Sequence, residues 1–212
     1  MKCYRWLFLL TLFLADCQTS LITDLTVPSG GILYKDDFSN PASGWPRVVD
    51  INGSEDYING SYLILVNTPQ YNLWAVPGRI FNDVRVEVDA TPLAGPEANR
   101  IGIVCRHRNP QNYYFFIISS DGYYAIGKTL NGTASLLGQD MMAYNTAIVQ
   151  GKGSNHIRFD CIGASLTGYV NDQMLAGTND ADFQNGDAGL LVGTFDTAGV
   201  VIVFTNFRVI KP

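Results

Sequence analysis

Between residues 84 and 90 the chain alternates without a break. Val84, Val86, Val88 and Ala90 are apolar, and Arg85, Glu87 and Asp89 between them are charged. A period of two sends successive side chains to opposite faces, so this is a strand with one face buried and one in solvent. Comparable runs recur over 61–66, 74–76, 100–106, 113–119, 123–128, 135–137, 156–162, 165–170, 189–194 and 200–210, with a short piece at 174–176. Turn chemistry separates them. Asp121-Gly122 and Asn131-Gly132 are hairpin dipeptides, and Asn171-Asp172 joins 165–170 to 174–176. Pro69, Pro77, Pro92, Pro96 and Pro110 fall between runs, where a missing N–H removes no ladder bond. No window holds a helical period, and no repeat marks a solenoid or propeller. The pattern predicts one all-β domain over 33–212: a two-sheet antiparallel β-sandwich or jelly roll.

Composition agrees and narrows the function. Hydrophobic residues make up 47% of the 212 and charged residues 16%, which excludes a disordered chain. Glu occurs three times while aromatics reach 12%, a balance that favours strands over helices. The formal charge is −5 with no basic block, so a nucleic-acid partner is excluded. Two histidines rule out a multi-histidine metal site, though not a mixed one.

The first sixteen residues read as an address. Lys2 and Arg5 precede an apolar run over 6–15, which Asp16 ends. Ten helical residues rise about 15 Å, half of a hydrocarbon core of about 30 Å, so the run is a signal-peptide core and not a membrane span. Leu14-Ala15-Asp16-Cys17 resembles a bacterial lipobox, with Asp16 where that motif has a small residue. The resemblance implies cleavage before Cys17, lipidation of Cys17, and an extracytoplasmic, membrane-anchored lipoprotein; ordinary signal-peptidase cleavage and secretion is the alternative. Residues 17–32 then form a tether. Cys105 and Cys161 remain as an even pair in an oxidising compartment. They either bridge two strands or sit as buried thiols.

A second resemblance covers nearly the whole domain. Asp36-Asp37-Phe38-Ser39-Asn40-Pro41 followed by Ser43-Gly44-Trp45 is similar to the opening of concanavalin A-like jelly rolls. It resembles in particular the laminin-G-like and 3-keto-disaccharide-hydrolase-like group found on bacterial surfaces. The pieces 102–106, 113–122, 155–158, 169–171, 189–193 and 204–207 follow in the order of that fold. The resemblance implies the fold and not one function, because lectins, glycan-binding modules and glycosidases share it.

Candidate chemistry follows from the strand faces. Glu87-Val88-Asp89 puts two carboxylates on one face and resembles part of the Glu-x-Asp-x-(x)-Glu motif of jelly-roll β-glucanases. The final glutamate is absent, since Ala90 and Thr91 follow. If Ile101, Ile103 and Cys105 face inward, Arg106 faces outward; His156, Arg158 and Asp160 do so opposite Ile157, Phe159 and Cys161. With Tyr169 and the carboxylates, Arg106 and Arg158 would make one charged, aromatic surface suited to sugar. Trp74 is either a stacking platform or a core residue. Asp36, Asp37 and Asn206 offer oxygens to a structural Ca²⁺, or serve as turn caps; no other cofactor is expected. The main expectation is a non-catalytic surface lipoprotein binding a glycan or cell-envelope ligand through Trp74, Arg106, Arg158 and Tyr169. The alternatives are a glycoside hydrolase acting on a glucan or keto-disaccharide through Glu87 or Asp89, and a structural or protein-interaction module of the envelope.

Overall fold

The computed structural model describes residues 26–212. The leader, Cys17 and the first part of the tether lie outside them. The larger sheet has nine strands. In spatial order they are β14 (Gln173–Asn179), β13 (Ser165–Val170), β12 (Asn155–Ile162), β6 (Val84–Ala94), β16 (Val200–Ile210), β4 (Ser61–Val66), β3 (Gly53–Ile58) and β2 (Val48–Val49). β1 (Ile32–Asp36) also pairs with β16. The smaller sheet has seven: β10 (Thr133–Leu136), β9 (Tyr123–Leu130), β8 (Asn112–Ile118), β7 (Asn99–Asn109), β15 (Asp187–Thr194) and β5 (Asn72–Ala75), with β11 (Ala143–Tyr144) on β9. Every pairing between these strands is antiparallel, and the two sheets form a sandwich.

The alternation in β6 does what its period requires. Val84, Val86, Val88 and Ala90 are buried in the interior with Ile157, Phe159, Ile202 and Phe204 from neighbouring strands. Ile101, Ile103, Tyr114, Phe116 and Leu190 meet them from the smaller sheet. Cys105 on β7 and Cys161 on β12 form a disulfide that joins the two sheets. It closes a loop across a sequence separation of 56, worth about 4 kcal/mol in the chain-entropy model. Three two-residue hairpins carry left-handed pairs: Asn59-Gly60, Asn131-Gly132 and Asn171-Asp172, all with positive φ.

Some expectations need correcting. Pro92 lies inside β6, opposite Ile202. β12 pairs with β6 only as far as Ala90, so Pro92 has a neighbour on one side alone, and a register shift on β16 accommodates it. β1, β2, β3 and β11 were not expected as strands. β3 reads Gly-Ser-Glu-Asp-Tyr-Ile, too polar to show a period, and Glu55 within it is nevertheless buried. The largest correction is Arg106. The β7–β8 register shifts between Cys105 and Asn109, and Arg106 has a φ of 49°. This bulge turns its side chain inward, where it is 2% exposed.

The two outer faces differ. The larger sheet's carries Arg85, Glu87, Asp89, His156, Arg158 and Tyr169. The smaller sheet's holds a second apolar cluster of Val104, Tyr113, Phe115, Ile117, Ala125 and Leu191, against which Val76, Leu136 and Met142 pack. The apolar run Tyr113–Ile118 is therefore a strand buried on both faces.

Candidate functional site

The site begins with that second cluster. Along one row of the smaller sheet's outer face, Ala125, Ile117, Gly102, Leu191 and Trp74 are consecutive cross-strand neighbours. Beside them Gly127 lies under the ring of Phe115, in the space a β-carbon would take. A groove of about 560 Å³ crosses this face. Phe115, Ile117 and Leu191 form its apolar floor; Thr129 and Ser135 stand at one end, and Gln70, Asn72, Arg100 and Asp196 at the other.

The polar end is built by three neighbouring strands, β7, β15 and β5. Arg100 Nη1 donates to Asn72 Oδ1 at 3.0 Å and to the Thr194 carbonyl at 2.8 Å, and the guanidinium carbon lies 4.1 Å from the centre of the Phe195 ring. Gly193 sits between them, where a β-carbon would collide with Asn72 Oδ1. Burial holds the Arg100 pKa below its usual value. Gln70 Nε2 donates to Asp196 Oδ1 at 3.1 Å.

Trp74 is partly buried on the same outer face, with ring centres 6.3 Å from His107 and 5.9 Å from Tyr113. Burial keeps the His107 pKa below its usual value, so its ring is neutral at pH 7. Trp74 thus belongs to an aromatic group on the outer face, beside Tyr113 of the second cluster and not in the interior.

The other predicted site residues lie elsewhere. Arg106 donates Nη1 to the carbonyls of Gly163 and Phe183, both at 2.7 Å, and Nη2 to Asp83 Oδ1 at 3.0 Å and the Cys161 carbonyl at 3.3 Å. It is a buried tie between loops, and its expected place on the outer surface is overturned. Arg158 and Tyr169 do face outward on neighbouring strands beside Glu87 and Asp89. However, Arg158 lies 4.2 Å over the Tyr169 ring and makes a two-pronged contact with Asp160, so the ring face is already covered. Asp89 accepts from Asn206 Nδ2 and contacts His156 Nδ1, both at 2.7 Å. Asp36 accepts from the Phe38 amide, Trp45 Nε1 and Tyr34 hydroxyl, and Asp37 from Ser39. Asp36, Asp37 and Asn206 line one depression, with each side chain committed to a protein partner.

At the level of sequence, no family model and no curated protein matches this chain. Solved structures do match in shape. Carbohydrate binding module CBM66 from Bacillus subtilis aligns over 80% of this chain and 96% of its own, with a TM-score of 0.55 at 18% identity. The β-glucanase of Bacillus licheniformis aligns over 84% of this chain and 98% of its own, with a TM-score of 0.62 at 12% identity. A Bacillus subtilis protein of unknown function with a galectin-like fold covers 87% of this chain and 97% of its own, with a TM-score of 0.63 at 12% identity. The chain is a concanavalin A-like jelly roll.

In this jelly roll the two chemistries are held apart. Glu87 and Asp89 point away from the sandwich on one side, and the groove opens on the other. Among the described residues, Asp196 is the one carboxylate lining the groove. The charged face was legible in the sequence because β6, β12 and β13 alternate cleanly. The groove was not, and its signal was the unbroken apolar run in β8: a strand with no polar face has a second surface to cover.

Proposed function

We propose that this protein is an exported, lipid-anchored surface protein whose jelly roll binds carbohydrate without cleaving it, in the groove across the seven-stranded sheet. The groove carries this reading. Its apolar floor suits the C–H faces of sugar rings, and its flanking amide, hydroxyl and guanidinium groups suit their hydroxyls. Carbohydrate-binding and glucan-hydrolysing proteins among the solved jelly rolls support a sugar ligand. Cleavage would need two carboxyl groups about 5–9.5 Å apart astride the bond. Among the described residues the groove lining supplies Asp196 alone, which supports binding over hydrolysis. The covered ring of Tyr169 favours the groove over the charged face as the ligand site. The address rests on the leader pattern and on Cys17, outside the described residues.

The test is a glycan array probed with the full chain in detergent. The expected result is binding to a narrow set of glycans, weakened at least about tenfold by the pair Gln70→Ala and Phe195→Ala, and unchanged by Glu87→Gln or Arg158→Ala. Silence across the array overturns the reading. Release of products from a bound glycan, lost in Glu87→Gln, overturns its non-catalytic part.

A further inference from the structure

Among the described residues, Arg100 is a part-buried cation without an ion-paired carboxylate. The other part-buried or buried arginines with ion pairs each hold a carboxylate: Arg85 and Arg158 share Asp160, and Arg106 holds Asp83. Among the described residues no carboxylate forms an ion pair with Arg100. Its partners are an amide oxygen, a backbone carbonyl and an aromatic ring, all neutral. Both hydrogen bonds use Nη1, so neither Nη2 nor Nε is engaged by them. Desolvating a charge without an opposite charge is costly, and an anion of matching geometry offsets part of that cost. Asp196 lines the same groove but is hydrogen-bonded to Gln70. The arrangement is also held in place: Asn72 and the Thr194 carbonyl fix one prong of the fork, Phe195 supports its face, and Gly193 leaves room for Asn72.

We infer that the groove takes an acidic glycan, setting the carboxylate of a uronic acid or the sulfate of a sulfated sugar on the free edge of Arg100. This rests on the groove being the glycan site. A planar guanidinium presents two parallel N–H donors to an oxyanion, giving strength and orientation that a hydroxyl does not match. The floor of Ile117 and Leu191 would then pack against the ring that bears the acid.

The experiment measures binding by calorimetry with the full chain in detergent. The probes are oligomers of galacturonate, mannuronate, guluronate and glucuronate-containing glycans, each beside its carboxyl-reduced form, and sulfated galactans beside their desulfated forms. At least one acidic oligomer is expected to bind about tenfold or more tighter than its neutral counterpart. Arg100→Met should erase that difference, and Arg100→Lys, which keeps the charge but not the fork, should keep part of it. The source of the anion is read from which pair shows the difference. Should Arg100→Met fail to fold, the acidic and neutral forms still compare on the unaltered protein. If neutral counterparts bind as tightly as acidic ones, the acidic ligand is overturned and the groove stands as a site for neutral sugar. If neither binds, the groove reading falls as well.

Discussion

The two outer faces of the sandwich are built from the same alternation and come out opposite. On the nine-stranded sheet the outward positions of β6 and β12 carry the charges, with Tyr169 of β13 beside them, and most are held by one another: Arg85 and Arg158 hold Asp160, and His156 and Asn206 hold Asp89. On the seven-stranded sheet the outward positions of β7, β8 and β15 are apolar and buried, and the part-buried cation among them, Arg100, has only neutral partners. A face whose charges are mostly paired has little left to offer a ligand. A face with an apolar floor and an unpaired cation does. Abundant charge therefore marked the less available surface.

The largest effect should come from the bond that unites the sheets. Changing both Cys105 and Cys161 to Ala is expected to cost about 4 kcal/mol, seen as a fall in melting temperature that reduction of the unaltered protein reproduces. Next is the contrast between the faces themselves. Leu191→Ala, at an outward position only 2% exposed, should cost about 2–3 kcal/mol, as a core residue would. A loss below about 0.5 kcal/mol would show that the second cluster is not a true core. The third concerns Glu55, whose pKa burial, assisted by Asp50, pushes up to about 7. A carboxyl raised in the folded state binds its proton more tightly there than when unfolded. Its penalty is thus absent below its ordinary value near 4.5, grows as pH rises, and is complete above about 7. Glu55→Gln should leave stability unchanged near pH 4 and raise it near pH 8, by chemical denaturation at both. The smallest effect belongs to the charged face: Arg158→Ala should change stability by less than about 1 kcal/mol, less still in high salt.

How much of this the sequence showed depends on what each residue's neighbours reveal. β4, β13 and β16 were legible to the residue because period and turn signals agree at both ends. The adjacency of Glu87, Arg158 and Tyr169 followed from alternation once β6, β12 and β13 were neighbours. Arg106 was not legible: its inward turn depends on a bulge whose left-handed residue is not a glycine, so nothing local announces it. Arg100 was passed over because a lone arginine at a strand end looks like any other. What sets it apart is that none of its partners among the described residues is a carboxylate, a property of the assembled sheet. The groove also needed the order β10-β9-β8-β7-β15-β5, which brings Ser135 and Asn72 to one face from distant parts of the chain.

The sheets are fastened in two ways, and the difference bears on motion. At the centre, Cys105–Cys161 is a covalent rivet. At the margin, Lys128 on β9 pairs with Asp180 and Asp182, and the Tyr114 hydroxyl donates to Asp180 at 2.6 Å, forming an ionic latch. Burial opposes ionisation of Asp180, yet Lys128 and Tyr114 hold its pKa below the usual value, so acid loosens the latch only as pH falls through that lowered value. β9 and β10 form the far wall of the groove and lie on the latch side. Loss of the latch would therefore release the contacts of that margin while the rivet still joins the two sheets.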